Sequence, residues 1–488
     1  MNDLNRLVDR EYEQVQLLKL LEGEVYRMAL VTGRRRVGKT FLLTHTWGER
    51  KFFLFTAANV TGELNRVQLL RDLADWTGED IRPEDYPTWR TVFRLLLELN
   101  EPQQVVVVLD EFQYLAGPER GLAEVASELN AEWERRRQQR SFLLVLAGSA
   151  VGTMEALAGG GAPLYGRFSW QHSLRPFDYW NAAKMLPFET AREKALAYGI
   201  FGGTPRYLAA IDGGLDLTGN AQRLMLAPDG EIRALVETAI EQEEGLREVA
   251  QYRSIVRAVA SGNTLRNEIS NATGLENNRT FRAKLDKLVE LGYFEGRRNM
   301  FAGRSEPVRY YAADPALRFH QRFIEPNVSA LERYSADRVW REKIEPYLDT
   351  YMGHEFERLV QQAYDRLAGK MKLPLVVEWG RWEGSDRNRR SLEFDVVARL
   401  GDSRCLTGSI KWNRKPIGAK VLWDHLGMLE RARDSGLAWA AQALEPDAPM
   451  LFAAAGGCTS GFQDAVTEVM RTVYLLDLET VYDGALAG

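Results

Sequence analysis

Residues 33–40 read Gly-Arg-Arg-Arg-Val-Gly-Lys-Thr and follow the apolar run Met28–Thr32. A glycine-rich turn between a strand and a helix aims backbone N–H groups at the phosphates of a nucleotide. Gly33, Arg36, Val37 and Gly38 form the cradle. Lys39 supplies a point charge for the β- and γ-phosphates, and the Thr40 hydroxyl suits Mg2+. A second cluster lies about 70 residues downstream, where Val105–Leu109 runs unbroken into Asp110 and Glu111. Asp110 is placed to hold Mg2+ through water, and Glu111 to polarise an attacking water. A solvated strand end is the plain alternative for these carboxylates. Taken together, the two motifs predict a site for ATP with Mg2+.

Two further residues could join that site. Ser149 ends the apolar run Phe142–Gly148. Its hydroxyl could sense the γ-phosphate or cap a helix over 151–157. Arg167 follows the turn Pro163-Leu-Tyr-Gly166. It could stabilise charge on a transferring phosphoryl group, or pair with a carboxylate on the surface.

The elements that must position these residues follow from periodicity. A short helix is expected over 8–22, with strands at about 25–32, 51–56, 104–109 and 142–147, and helices such as Glu63–Trp76 and Thr88–Leu99 between them. Alternating strands and helices imply a parallel sheet covered on both faces, with the phosphate loop and Asp110 at one carboxyl edge. Residues 177–248 read as helical. Residues 252–312 read as three helices and a hairpin, the order of a winged helix. A helical connector at about 314–350 precedes a second α/β unit. There Gly353–Leu367 is amphipathic, and strands are expected at about 374–379, 392–399, 404–411 and 450–455.

Composition sets outer limits. A chain of 488 residues with 45% apolar residues should form several domains with substantial cores. The net charge of −5 excludes a polycation. Arg253 to Arg338 carries 15 Lys and Arg against 10 Asp and Glu, a local +5 that leaves −10 elsewhere. Such a basic module is a modest pointer to nucleic acid. Cys405 and Cys458 are the only cysteines, which suits a reducing compartment. The N-terminus has no secretory h-region and no apolar run reaches 18 residues, so a cytoplasmic protein with no membrane partner is expected.

The order of motifs resembles the archaeal-type AAA+/STAND-related ATPase family. Its marks here are Asp9-Arg10-Glu11, the G-R-R-R-x-G-K-T loop, Leu109-Asp-Glu-Phe-Gln-Tyr-Leu115, Gly148-Ser149, Pro163–Arg167 and Gly202-Gly-Thr-Pro-Arg-Tyr-Leu208. The resemblance covers about 5–325. It implies an arginine-finger role for Arg167, in cis or in trans, and nucleotide contacts for Arg10 and Pro205. Gly-Gly-Thr-Pro by itself is also a helix-initiating turn.

The C-terminal part resembles the PD-(D/E)xK nuclease superfamily, in which carboxylates bind Mg2+ beside a scissile phosphate and a lysine assists. Glu357 matches the helix element and Asp395 the first strand. Leu406-Thr-Gly-Ser409-Ile-Lys411 matches the next strand, with Ser409 where that family usually has Glu. A serine hydroxyl binds Mg2+ weakly, so a degenerate site with little or no cleavage is expected unless Glu393 or Glu378 substitutes. The alternative for Asp395 and Lys411 is a partly buried pair on neighbouring strands. In the winged helix, Arg279, Arg282, Lys284, Lys287, Arg297 and Arg298 are candidates for phosphates of double-stranded DNA. A protein partner is the alternative.

The expected architecture is α/β. It comprises a P-loop NTPase core with a parallel sheet (1–176), a helical lid (177–249), a winged helix (250–325), a helical connector (326–350) and a restriction-endonuclease-like domain (351–488). The expected function is an ATP-hydrolysing switch acting on its C-terminal modules in DNA-related, defence or regulatory processes. The alternatives are a slow-turnover scaffold that binds DNA or protein and an ATP-gated DNA nuclease. The sequence leaves monomer and homo-oligomer both open.

Overall fold

The structure is a computed structural model that describes residues 8–22, 26–99, 105–136, 142–243, 246, 248–301 and 306–483. The chain forms two compact units. The first runs to Pro176 and also takes in Thr204–Arg206 and the 241–247 segment; the second holds the remainder.

The first unit is built on five strands, β1 (Tyr26–Thr32), β2 (Phe52–Thr56), β3 (Val105–Asp110), β4 (Phe142–Gly148) and β5 (Phe168–Ser173). They lie in the order β2-β3-β4-β1-β5, and every pairing is parallel. A parallel sheet needs helices on both faces, so its strands read as continuous apolar runs. Alternate residues divide between two cores. Met28, Leu30, Val107, Leu109 and Leu144 pack with Leu69, Leu73 and Phe93 on one face. Ala29, Val31, Val106, Val108 and Val145 pack with Leu17, Leu42 and Leu43 on the other. Strand β5 is absent from the sequence expectation. It is an edge strand with mostly part-buried residues, and Ser, Gln and His between its aromatics dilute the strand signal.

The second unit opens with helices including Ala191–Phe201, whose N-cap Thr190 forms a reciprocal capping box with Glu193. Helices Val249–Ala260, Arg266–Thr273 and Arg279–Glu290 follow, then the antiparallel pair β6 (Phe294–Arg297) and β7 (Arg309–Ala312). Leu265 makes an isolated bridge to Arg309. One 27-residue helix then runs from Glu345 to Met371. It crosses residue 350, so the expected border between connector and C-terminal domain falls inside a helix. Its buried stripe, Met352, Phe356, Leu359, Val360, Ala363 and Leu367, lies wholly after residue 350. This helix lies beside a separate mixed sheet of β8 (Val376–Ser385), β9 (Ser391–Leu400), β10 (Cys405–Lys411), β11 (Met450–Ala454) and β12 (Val473–Leu476), ordered β12-β11-β10-β9-β8. Among the described residues, no helix is long and apolar enough to cross a membrane.

Candidate nucleotide site

The loop between β1 and helix Lys39–His45 brings the first motif together. Gly33 has φ +146°, and a Cβ there would lie 2.6 Å from the Leu174 carbonyl oxygen, so only glycine fits. Lys39 is buried and folds back to donate Nζ to the carbonyls of Gly33 at 2.8 Å and Arg34 at 3.2 Å. Burial lowers its pKa, against the pull of Glu111, Asp110 and Glu243. Thr40 donates its hydroxyl to Asp110 Oδ2 at 2.5 Å. Although β4 separates β1 from β3 in the sheet, both strands end at the same edge, and residues 70 apart meet there. Asp110 is buried, and desolvation raises its pKa against the Thr40 hydrogen bond.

Glu111 sits just past the strand end in the left-handed region, at φ +50°. Its Oε2 accepts from Ser149 N at 3.0 Å, Ser149 Oγ at 2.6 Å and Gln113 Nε2 at 2.5 Å. Burial alone would raise its pKa, but Lys39 and these donors hold it below the usual range. The carboxylate is therefore kept ionised, the form that can polarise a water. The Ser149 hydroxyl is spent on Glu111. The helix-capping alternative fails, because the residue at the N-cap of helix Val151–Ala156 is Ala150, with no side-chain cap.

Three other candidates lie around the loop and β5. Arg10 is buried, and Nη2 donates to the carbonyls of Val37 at 3.1 Å and Arg175 at 2.9 Å, while Nη1 lies 3.4 Å from Glu13. It ties the phosphate loop to the chain after β5. Pro205 stands beside the loop: a Cβ on Gly38 would lie 3.9 Å from its ring. Arg167 donates Nε to Asn130 at 2.9 Å and lies 3.1 Å from Glu134. It precedes Phe168, which pairs with Met28, whereas the loop begins beyond Thr32, the partner of Ser173. Four strand residues separate those levels, roughly 13 Å. A finger acting on its own chain's loop is thus corrected to a salt bridge with helix Leu122–Arg136.

The sequence reading missed three residues of this site. Gln113, inside the acidic motif, clamps Glu111. Gln242 accepts from Arg36 Nη2 at 2.5 Å, and Glu243 is buried within electrostatic reach of Lys39. Only Gln113 carried a signal, its place two residues after Glu111. No local pattern marks 242–243.

In the second unit the basic candidates separate. Arg279, Arg282 and Arg298 are exposed. Lys284 is buried, donating to Glu248 at 2.8 Å beneath Tyr252, which corrects its candidacy. It falls on the inner stripe of helix Arg279–Glu290, with Phe281, Leu285 and Leu288. Lys287 pairs with Glu290 at 2.6 Å and Arg297 with Glu295 at 2.9 Å.

The nuclease-like residues are all ion-paired or hydrogen-bonded. Asp395 Oδ2 accepts from Ser409 Oγ at 2.9 Å, Ile410 N at 2.8 Å and Lys411 Nζ at 3.0 Å. Glu357 lies 3.5 Å from both Arg381 and His354. Arg381, which the sequence reading did not single out, also pairs with Glu383, and with Glu393 at 2.7 Å. Glu378 is held by Arg399 at 2.5 Å. Glu357 and Asp395 are thus tied to different cations, and both substitute ligands are engaged as well.

Residues 7–211 match the family model described as an ATPase domain predominantly from Archaea, and residues 320–421 match one described as archaeal and bacterial proteins of unknown function. The chain is 25% identical to the uncharacterized protein MJECL04 of Methanocaldococcus jannaschii over 83% of this chain and 87% of that protein. Among solved structures, the Walker-type ATPase PABY2304 of Pyrococcus abyssi is 23% identical, with TM-score 0.48, over 65% of this chain and 96% of that one. The ORC2 protein of Aeropyrum pernix, in ADPNP–ADP complexes, is 15% identical, with TM-score 0.43, over 71% of this chain and 94% of that one. Residues 7–211, which hold the parallel sheet, the phosphate loop and the paired Thr40 and Asp110, are thus similar to that ATPase domain family.

Proposed function

We propose that this protein is an ATP-binding and ATP-hydrolysing switch whose nucleotide state acts on a winged-helix and nuclease-like C-terminal module. The observation that carries the reading is the convergence of Thr40 and Asp110 at 2.5 Å, with Lys39 folded over the loop beside them. Both are hard oxygen donors and fit Mg2+. When bound with ATP, that ion would neutralise phosphate charge. The chain's own residues do the rest. The loop holds the phosphates, Lys39 swings from the Gly33 and Arg34 carbonyls to the γ-phosphate, and ionised Glu111 orients the water. Arg167 of a neighbouring copy is the finger in this scheme.

Three helices and a hairpin, in the order read from the sequence, support a winged helix, with Arg279, Arg282 and Arg298 as its phosphate contacts to DNA. The ion pairs on Glu357 and Asp395 support a nuclease-like domain that binds rather than cleaves. The test is ATP turnover and binding in Lys39→Ala and Glu111→Gln. Lys39→Ala should lose binding. Glu111→Gln should bind normally and turn over about 10²-fold or more slowly. Normal turnover in Glu111→Gln would remove Glu111 from the chemistry.

A further inference from the structure

Glu111 is held by one of its two carboxylate oxygens. Oε2 accepts from Ser149 N at 3.0 Å, Ser149 Oγ at 2.6 Å and Gln113 Nε2 at 2.5 Å, and among the described residues nothing donates to Oε1. A carboxylate oxygen offers about two lone-pair positions. Three donors more than fill Oε2, so any water that Glu111 orients must be held by Oε1.

The Gln113 amide makes its part of this grip at a cost. Its own Oε1 is buried and accepts no hydrogen bond among the described residues. A buried acceptor without a donor is unfavourable and uncommon. A Cβ on Gly148, the last residue of β4, would lie 2.4 Å from that oxygen, so the amide fills room that the glycine leaves. Turning the amide over would set its oxygen against Glu111 Oε2, acceptor against acceptor, and the donor therefore stays aimed at the carboxylate. Glu111 itself has φ +50° and ψ +43°, a sparsely populated conformation for a residue with a side chain. Unfavourable features of this kind persist where the surrounding structure imposes them, and they cluster at functional sites.

The turn that carries Gln113 is anchored on both sides of it. Phe112 is fully buried. The Tyr114 carbonyl accepts from Asn65 Nδ2 at 2.9 Å, and the Tyr114 hydroxyl accepts from Arg35 Nη2 at 2.6 Å. Asn65 is buried and exchanges two further hydrogen bonds, each of 2.9 Å, with the Ala58 backbone. Gln113 is thus fixed by its neighbours as well as by the carboxylate it holds, as a preorganised site requires.

We propose that Gln113 is the positioning residue of the hydrolytic site: with Ser149 it saturates Oε2 of Glu111 and leaves Oε1 as the one oxygen that orients the attacking water. This role rests on reading the phosphate loop as an ATP site and adds to it the residue that sets the base. Gln113 acts through Glu111 and needs no contact with nucleotide or water. Its loss should lower kcat and leave ATP affinity alone.

The experiment measures steady-state hydrolysis of ATP with Mg2+, binding of a fluorescent ATP analogue and thermal unfolding. It uses the full-length wild type, Gln113→Leu, Ser149→Ala, the double variant and Lys39→Ala. Gln113→Leu is similar in size and removes both the donor and the unpartnered acceptor. Its kcat should fall about tenfold, a part of the roughly 10²–10⁴-fold that a positioned general base contributes. KM and analogue affinity should not change, and the melting temperature should be no lower than that of the wild type. The double variant, left with Ser149 N alone on Oε2, should fall about 10²-fold, towards the level of Glu111→Gln. If Gln113→Leu does not fold, Gln113→Met, unbranched like glutamine, carries the same expectation. Unchanged kcat at position 113 would overturn the proposal, as would a loss of kcat matched by equal losses of affinity and stability. Faster turnover would make the grip a restraint on Glu111, which also overturns it. A wild type that neither binds nor hydrolyses ATP, like Lys39→Ala, would refute the ATP site itself, and the role of Gln113 with it.

Discussion

Removing Arg10 should weaken nucleotide binding without removing any contact to nucleotide. The side chain is buried, and its guanidinium donates to two backbone carbonyls, Val37 in the phosphate loop and Arg175 after β5, with Glu13 beside it. A hydrogen bond to a charged group contributes about 1.5–3 kcal/mol. Two of them, and a buried Glu13 left with the His172 ring at 3.2 Å, set the cost of Arg10→Ala at about 3–5 kcal/mol. For a unit of this size that lowers the melting temperature by on the order of 10 °C. Arg10→Lys keeps the charge but not the fork that spans both carbonyls, so it should recover only part of this. The assay is thermal unfolding with and without ATP, paired with ATP and GTP affinities. ATP and GTP binding should weaken by the same factor, because the loop that takes their common phosphates is what loosens. An Arg10→Ala protein of unchanged stability that had lost only its discrimination between ATP and GTP would refute this reasoning and make Arg10 a base contact.

Three other outcomes are expected. Arg167→Ala should cost little turnover in dilute protein, where its partners are Asn130 and Glu134; if it is a finger between copies, wild-type turnover per molecule should rise with concentration and that rise should vanish in the variant. Ser409→Glu sets a second carboxylate beside Asp395 in a buried site, so melting temperature should fall without divalent cation and recover with Mn2+; cleavage should appear only if Glu357 is also released from Arg381, and Lys411→Ala should then abolish it, whereas robust cleavage by the wild type, lost in Asp395→Ala, would refute the degenerate reading. In DNA binding, reversing Arg279 and Arg282 should reduce the slope of log affinity against log salt by about two units, while Lys284→Gln should leave the slope and lower stability.

The parallel sheet was legible because both of its faces are covered. Four of its strands are therefore continuous apolar runs, and the phosphate loop and Asp110 each end one of them. Strand β5 was not, since an edge strand half open to solvent needs no apolar run and Phe168-Ser-Trp-Gln-His-Ser reads as well as a loop. Lys39, Thr40, Asp110 and Glu111 were legible because each lies inside a local motif. The roles of Arg10 and Arg167 were not, because they depend on register: one residue ties the loop down, and the other stands at the far end of β5. Lys284 shows the same limit at smaller scale. It alternates with arginines in the sequence, yet the turn of the helix directs it inward onto Glu248.

Just after β6, Asn299 and Met300 are tied to β8. Met300 N donates to the Arg381 carbonyl at 2.9 Å, and Asn299 exchanges hydrogen bonds with Glu383 at 2.8 and 3.0 Å. Met300 enters the core formed by Leu392, Phe394, Val397 and Trp439, and Glu295 of β6 holds Arg358 on the long helix at 2.6 Å. Asn299 and Met300 are therefore pinned to β8, and that strand carries the same Arg381 that restrains Glu357. A shift of Asn299 or Met300 would therefore bear on Arg381 and, through it, on Glu357. A switch that acts by different contacts in two nucleotide states would then move hairpin and sheet together, and not a DNA-binding arm independent of the domain behind it. Arg298 is an exposed cation next to this junction, so DNA held there would bear on the β8 edge as well as on helix Arg279–Glu290.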